Sequence, residues 1–275
     1  MRPVPPVRTP AVCMTAGARR ACLGAAGMLL VFGTAQLALW AGGVNQAVFP
    51  LPTAVLGGAA GMLRDGSFWT ATVQTLTSWA EGLGISAGLG VPAGLVLGTL
   101  PRAHYAIRPL VEFLRPVPSV ILLPLVLLVV QNSHETEVVL IVFAAVWPVL
   151  INTVYGIDEV DPLAVQTLRS FGFSPAAVAW RVSLPSAAPF IATGVRIAAS
   201  VAFVVAVAVE LIGSGMNGIG SYLVQQESGT ASVVPLLSLA VLSGALGLLL
   251  NAGLEAADRR VFHWHHLQTA AADSA

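Results

Sequence analysis

Three ionisable side chains, Glu81, Arg196 and Glu210, fall inside long apolar runs of this 275-residue sequence. A charged group at the centre of a bilayer costs about 3 kcal/mol even on the mildest scale, and groups retained there commonly mark a pathway or a counter-ion. Glu81 and Glu210 are therefore the candidate translocation-path residues, with snorkelling to an interface as the plainer role for each. Arg196 has a stem long enough to carry its charge to the nearer interface. The runs contain no histidine and no paired carboxylates. An intramembrane enzyme would need a nucleophile with its base, or a set of metal ligands, so catalysis, a metal and a cofactor are all unexpected.

Other chemical-looking motifs have plainer readings. Gly213-Ser-Gly-Met-Asn-Gly218 fits the dinucleotide pattern GxGxxG, but it follows an apolar run and no strand precedes it, so it reads as a flexible turn. His263, His265 and His266 surround Trp264 and follow Arg259 and Arg260, a combination that marks an interfacial anchor more simply than a metal site. Cys13 and Cys22 are too few for a disulfide framework and receive no role. All thirteen basic residues are arginines. A phosphate-cradling Walker loop needs lysine, so the chain cannot bind ATP by that route, and no basic stripe offers itself to nucleic acid.

The elements that must position these residues are membrane spans. Hydrophobic residues make up 56% of the chain and charged ones 9%, against roughly a quarter charged in a soluble domain. Crossing a hydrocarbon core of about 30 Å takes roughly 20 helical residues. Six runs qualify, near 21–40, 71–99, 112–131, 138–157, 189–212 and 232–253, which makes the fold an all-α polytopic membrane protein. The first reads as an uncleaved anchor rather than a signal peptide. Pro116, Pro118 and Pro124 break the third. In the second, Gly84, Gly88, Gly90, Gly94 and Gly98 include pairs four apart that let helices approach closely.

Orientation follows from the arginines, which cytoplasmic loops retain. Arg2, Arg8, Arg19 and Arg20 precede the first span, Arg102, Arg108 and Arg115 lie between or beside the second and third, Arg169 and Arg181 separate the fourth and fifth, and Arg259 and Arg260 follow the sixth. The opposite segments hold only Arg64. Both termini are expected in the cytoplasm, with tails 1–20 and 258–275 flanking a transmembrane domain 21–257.

The segment 158–188 is hydrophilic and carries helix signals of its own. Asp161-Pro162 makes an N-cap with a first-turn proline, Gly172 a C-terminal cap, and Ser174-Pro175 a second start, while Leu184-Pro185 reads as an end. Two short helices, 162–171 and 175–183, are predicted.

This loop resembles the cytoplasmic motif of binding-protein-dependent ABC importer permeases: Glu-Ala-Ala, three residues, Gly, nine residues, a branched aliphatic, any residue, Leu, Pro. Gly172, Val182, Leu184 and Pro185 match at those spacings, while Gln166, Thr167 and Leu168 replace the Glu-Ala-Ala triplet. The flanking runs Arg115-Pro-Val-Pro-Ser119 with Pro124, Trp147-Pro-Val-Leu-Ile-Asn-Thr153, the stretch from Pro185 to Ala198, Glu210-Leu-Ile-Gly213, Gly218-Ile-Gly-Ser-Tyr-Leu223 and Arg259-Arg-Val-Phe-His-Trp-His265 are similar to the nitrate, sulfonate and taurine group.

The resemblance implies a type I importer fold in the plasma (inner) membrane, paired as a homodimer. An ATP-binding cassette ATPase would dock on Gln166, Thr167, Leu168, Gly172, Ala177, Val182, Leu184 and Pro185. An extracytoplasmic solute-binding protein would deliver a small solute, and the loop helices would act as a lever on the spans. The alternative is an ATP-independent secondary transporter or channel, although no inverted repeat is visible to support one.

Overall fold

The structure is a computed structural model and describes residues 16–261, apart from 44, 47, 214 and 228–231. The tails, with Cys13, the three histidines and Trp264, lie outside the described residues, as does the side chain of Cys22 in α1. Among the described residues the regular structure is entirely helical.

A packed trio of helices, α3 (Gly66–Thr99), α6 (Ser133–Asp158) and α9 (Leu184–Ile212), forms the body of the molecule. The seam of α3 against α6 is cut by glycines. Gly82, Gly90, Gly94 and Gly98 face Ile141, Val149, Thr153 and Ile157, with the same offset of 59 residues in all four pairs. A constant offset means that the two helices run in the same direction and in register. A Cβ at Gly94 would lie 2.8 Å from the Leu150 carbonyl oxygen and one at Gly98 would lie 2.7 Å from Cβ of Ile157, so the branched side chains fit only because the notches are empty. Gly84 and Gly88 meet nothing within 4 Å and belong to the other face. Across the second seam, Gly156 abuts Ala187 and Phe190, and Gly194 abuts Asn152, which makes α9 antiparallel to α6. Ala198, Ala202 and Ala206 supply the flat α9 face, fully buried against Leu140, Ile141, Ala145 and Val149. Trp79 Nε1 ties α3 to α9 by donating to the Ala199 carbonyl at 2.8 Å.

Parallel α3 and α6 require the intervening chain to recross the membrane, and it does so as a broken element. α4 (Pro101–Leu114) is followed by a 3-10 turn (Ser119–Leu122) and α5 (Leu123–Val130), with an 81° bend between the halves. The break expected in the 112–131 run is there, and the first residues of that run belong to α4. The break falls at Arg115–Pro118, where Pro116 and Pro118 donate no backbone hydrogen bond and disfavour helix in the residue before them.

Among the described residues four helices, α3, α6, the continuous helix Pro175–Ile212 and α11 (Val234–Val261), are long and apolar enough to cross a bilayer, and the bent pair, taken as one span, would make a fifth. The first expected span lies in α1 (Ala16–Ala41), whose Leu29–Ala41 portion is a shorter apolar helix. Two helices have no counterpart in the span reading. α2 (Pro52–Met62) packs on α11, with Ser238 Oγ donating to the Val55 carbonyl at 2.8 Å. α10 (Ile219–Glu227) packs on α9 and α3.

Two start points are corrected. α6 begins at Ser133, because the Asn132 side chain accepts from the Glu135 amide at 3.3 Å and caps the helix there. His134 and Glu137 are thereby carried into α6, where the apolar pattern places neither. Leu184-Pro185 also ends nothing: α8 (Pro175–Val178), a π turn (Ala179–Ser183) and α9 run on as a single helix of 38 residues. The wide turn bonds the Leu184 amide to the Ala179 carbonyl, five residues back, and so absorbs the missing N–H and the ring of Pro185.

Gly94→Ala is expected to destabilise the protein by about 2 kcal/mol through overpacking against a helix backbone, whereas Gly88→Ala is tolerated. Thermal unfolding of the two variants in detergent checks this, and equal melting behaviour would contradict the glycine seam.

Candidate coupling loop and buried carboxylates

The loop at one end of the bundle is built from its own sequence signals. The Asp161 carboxylate accepts from the Leu163 amide at 2.8 Å and starts α7 (Pro162–Ser170). Gly172 ends it in the left-handed region at φ +82°. The Gly172 amide donates to the Arg169 carbonyl and the Phe173 amide to that of Leu168, the reciprocal pair that closes a helix on a left-handed residue. Ser174 Oγ then accepts from the Ala177 amide at 3.3 Å to open α8, and the Arg181 guanidinium lies 5.0 Å from the centre of the Phe173 ring.

Of the sequence-derived loop residues, Gln166, Thr167, Gly172 and Pro185 are exposed, and Leu168, Ala177, Val182 and Leu184 are half-buried. Val182 lies in the π turn and Leu184 and Pro185 open α9, so these two belong to the span as much as to the loop. The structure adds Leu163, Phe171 and Trp180, which are 68%, 78% and 72% exposed. Large apolar side chains standing open on a hydrophilic loop are a signal readable from the sequence, but motif spacing alone does not point to them.

The opposite end of the bundle gathers polar side chains. Glu210, at the end of α9, is 1% exposed, and its Oε2 accepts from the Gly220 amide at 2.9 Å. Thr75 Oγ1 on α3 accepts from the neighbouring Ile219 amide at 2.9 Å. Two side chains from other helices therefore cap the first amides of α10, which have no partner within their own helix. Glu137 of α6 is 2% exposed, lies opposite Ser78 of α3 by the same 59-residue offset as the glycine seam, and has its Oε1 buried without a hydrogen-bond partner. The start of α6, ahead of the apolar run, thus adds a histidine and a further carboxylate to this end of the bundle. Glu81 is half exposed and pairs with His134, Oε2 to Nε2 at 2.8 Å, while His134 Nδ1 lies 3.2 Å from Ser78 Oγ. Glu81 and Glu210 therefore stand at the same end of the bundle.

Residues 215–218 of the turn are packed against the bundle. Met216 is 3% exposed, and Gly215 and Gly218 take φ of +78° and +133°. A Cβ on Gly218 would overlap the Glu210 carboxylate. Outside the spans, Asp65 caps α3 through the Ser67 amide at 2.9 Å and accepts from the Tyr222 hydroxyl at 2.9 Å. Hydrogen bonds from Ser67 first, and then from Tyr222, hold its carboxyl below the usual range. That contribution to stability is present above the ordinary aspartate pKa and is lost as pH falls through the lowered value. Arg196 is half-buried, twelve residues along α9 from Leu184.

The family model described as binding-protein-dependent transport system inner membrane component matches residues 90–263. The chain belongs to this family. Within it, the permease is similar to the bicarbonate transport system permease protein CmpB of Synechocystis, with 32% identity over 197 residues covering 70% of this chain and 69% of the relative. It is similar also to the taurine transport system permease protein TauC of Escherichia coli, with 32% identity over 201 residues covering 73% and 72%. These place it among ABC importer permeases of the nitrate, sulfonate and taurine group. In fold the permease matches a chain of the MetNI methionine ABC transporter solved in inward-facing conformations, with a TM-score of 0.61 at 18% identity over 71% of this chain and 96% of that one.

Gly218→Ala is expected to lower the permease's melting temperature, since the new Cβ meets both an unfavourable φ and the Glu210 carboxylate. Gly215→Asn, in an open left-handed position, is expected to leave it near wild type. Thermal shift measurements separate the two, and an unaffected Gly218→Ala protein would contradict the anchored turn.

Proposed function

We propose that this permease is the membrane-spanning subunit of an ATP-driven importer for a small oxyanion-bearing solute of the bicarbonate, taurine, sulfonate or nitrate kind. An ATPase on a separate subunit docks on the 158–188 loop, and an extracytoplasmic binding protein delivers the solute to a path between two copies of the chain. Residues 21–257 form the translocating domain and both tails lie in the cytoplasm, with the loop end inward, as the arginine distribution supports. Bicarbonate and taurine, the solutes of the two relatives, are both small and oxyanion-bearing and support the solute class.

The observation that carries this reading is the continuity of the helix Pro175–Ile212. A partner pushing on α7 and α8 moves the fifth span directly, because no flexible joint intervenes. Leu163, Phe171 and Trp180 give the partner an apolar foothold that compensates for the absent Glu-Ala-Ala acid. The path itself carries no covalent chemistry, and the Glu81 and Glu210 group lines its outer end.

The test is purification of the tagged chain in mild detergent from its native cell, followed by mass spectrometry. A stoichiometric ATP-binding subunit is expected with wild type and is lost with Phe171→Asp. Gly172→Val, which forces a β-branched residue into the left-handed position, is expected to stop uptake while the chain stays in the membrane. Uptake by reconstituted wild type without nucleotide would instead support an ATP-independent transporter or channel.

A further inference from the structure

At the loop end of the bundle, a cleft of about 290 Å³ lies between α4 and the last turns of α6. The buried side chains of Leu97, Leu150 and Val154 give it an apolar floor. Arg108, Glu112 and Arg115 of α4 and Asp158 of α6 line it with charge.

α4 is divided lengthwise. At about 100° per residue, Ala103, Ile107, Leu110 and Leu114 fall on one side of the helix, and His104, Arg108, Glu112 and Arg115 fall on another. Ile107 and Leu110 are exposed although apolar, so their side calls for hydrocarbon. Tyr105 on α4 and Tyr155 on α6 are exposed too, and an apolar ring with a polar tip suits the boundary between lipid tails and water. An amphipathic helix of this kind belongs at the level of the headgroups, and the cleft lies along it.

The charges in the cleft are only partly matched. Arg108 Nε donates to Glu112 Oε1 at 2.8 Å, so those two satisfy each other. Arg115 and Asp158 are exposed, line the same cleft, and enter no ion pair among the described residues. One open cation and one open carboxylate above an apolar floor complement a zwitterion that carries chains. An anionic headgroup would meet Arg115 but be repelled by Asp158, and a free oxyanion would leave the floor unused.

We propose that this cleft binds one phosphatidylethanolamine molecule of the leaflet at the loop end, with its phosphate on Arg115 and its ammonium group on Asp158. The chains pass over the apolar floor into the bilayer, and the lipid holds α4 against α6 beside the 81° bend. The inference rests on the membrane spans and the cleft, and not on ATP-driven import or on the loop's partner.

Native mass spectrometry of the full chain, purified in mild detergent, stripped of lipid and titrated with dioleoyl phosphatidylethanolamine or dioleoyl phosphatidylglycerol, reads the site. Wild type is expected to bind one phosphatidylethanolamine in preference to phosphatidylglycerol. Arg115→Gln is expected to weaken that binding about fivefold while circular dichroism shows the helices intact, as for one arginine at a charged membrane surface. Asp158→Asn is expected to erase the preference between the two lipids. Glu112→Gln releases Arg108 and is expected to tighten phosphatidylglycerol binding, a gain that misfolding cannot produce. Equal affinity for both lipids in wild type, or an unchanged preference in Asp158→Asn, would overturn the headgroup assignment. Unchanged binding in folded Arg115→Gln would overturn the site. Displacement of the lipid by inorganic phosphate, taurine or bicarbonate would put a free oxyanion in the cleft and overturn the lipid as its occupant.

Discussion

Lipid tails are as apolar as leucine, so inside a bilayer the hydrophobic effect does not hold two helices together, and shape has to do so. In this permease the decisive contact is the set of branched α6 side chains seated in the glycine notches of α3. The common offset of 59 residues fixes direction and register together. Direction forces the chain between α3 and α6 to recross the membrane. Register places Ser78 opposite Glu137 by the same offset, so the polar group at one end is set by packing along the whole seam.

α9 then connects the two ends. It opens on the residues of the loop motif, lies by its alanine face along α6, and finishes at Glu210 about 40 Å from Leu184. A displacement at the loop is carried to the carboxylates by a single helix whose neighbours are close-packed on one side. The π turn is where proline chemistry is accommodated without breaking the rod. The polar end is held differently, by side chains of α3 and α9 that cap α10 in place of residues within its own helix.

Most of the architecture was legible in the sequence because hydrophobic runs of span length and Asp-Pro, Gly and Ser-Pro punctuation act locally. Gly172 and Ser174 sit in the predicted cap positions for that reason. The misreadings share a cause: the deciding interaction lies elsewhere in the chain or runs against a local rule. Leu184-Pro185 reads as a stop, yet a π turn carries the helix through. His134 and Glu137 fall outside an apolar run, yet the Asn132 cap makes them helical; Glu137 is then buried, while His134 stays exposed and pairs with Glu81. Only Gly90, Gly94 and Gly98 of the five singled-out glycines face α6, because sequence spacing gives a stripe but not the partner it meets. α2 and α10 were not visible, since neither is long enough to register as a span and each is placed by tertiary contacts.

The central claim is that loop and fifth span move as one body. Pulsed electron spin resonance between labels at exposed Ala176 and Val204, in a chain with Cys13 and Cys22 replaced by serine and assembled with its ATPase, measures this most directly. With labelled chain diluted in unlabelled chain so that one copy per assembly carries both labels, the account predicts one narrow distance of about 40 Å that stays the same with and without ATP. A distance that broadens or shifts by several ångströms when ATP is added would show that the π turn is a hinge, and the lever would be contradicted.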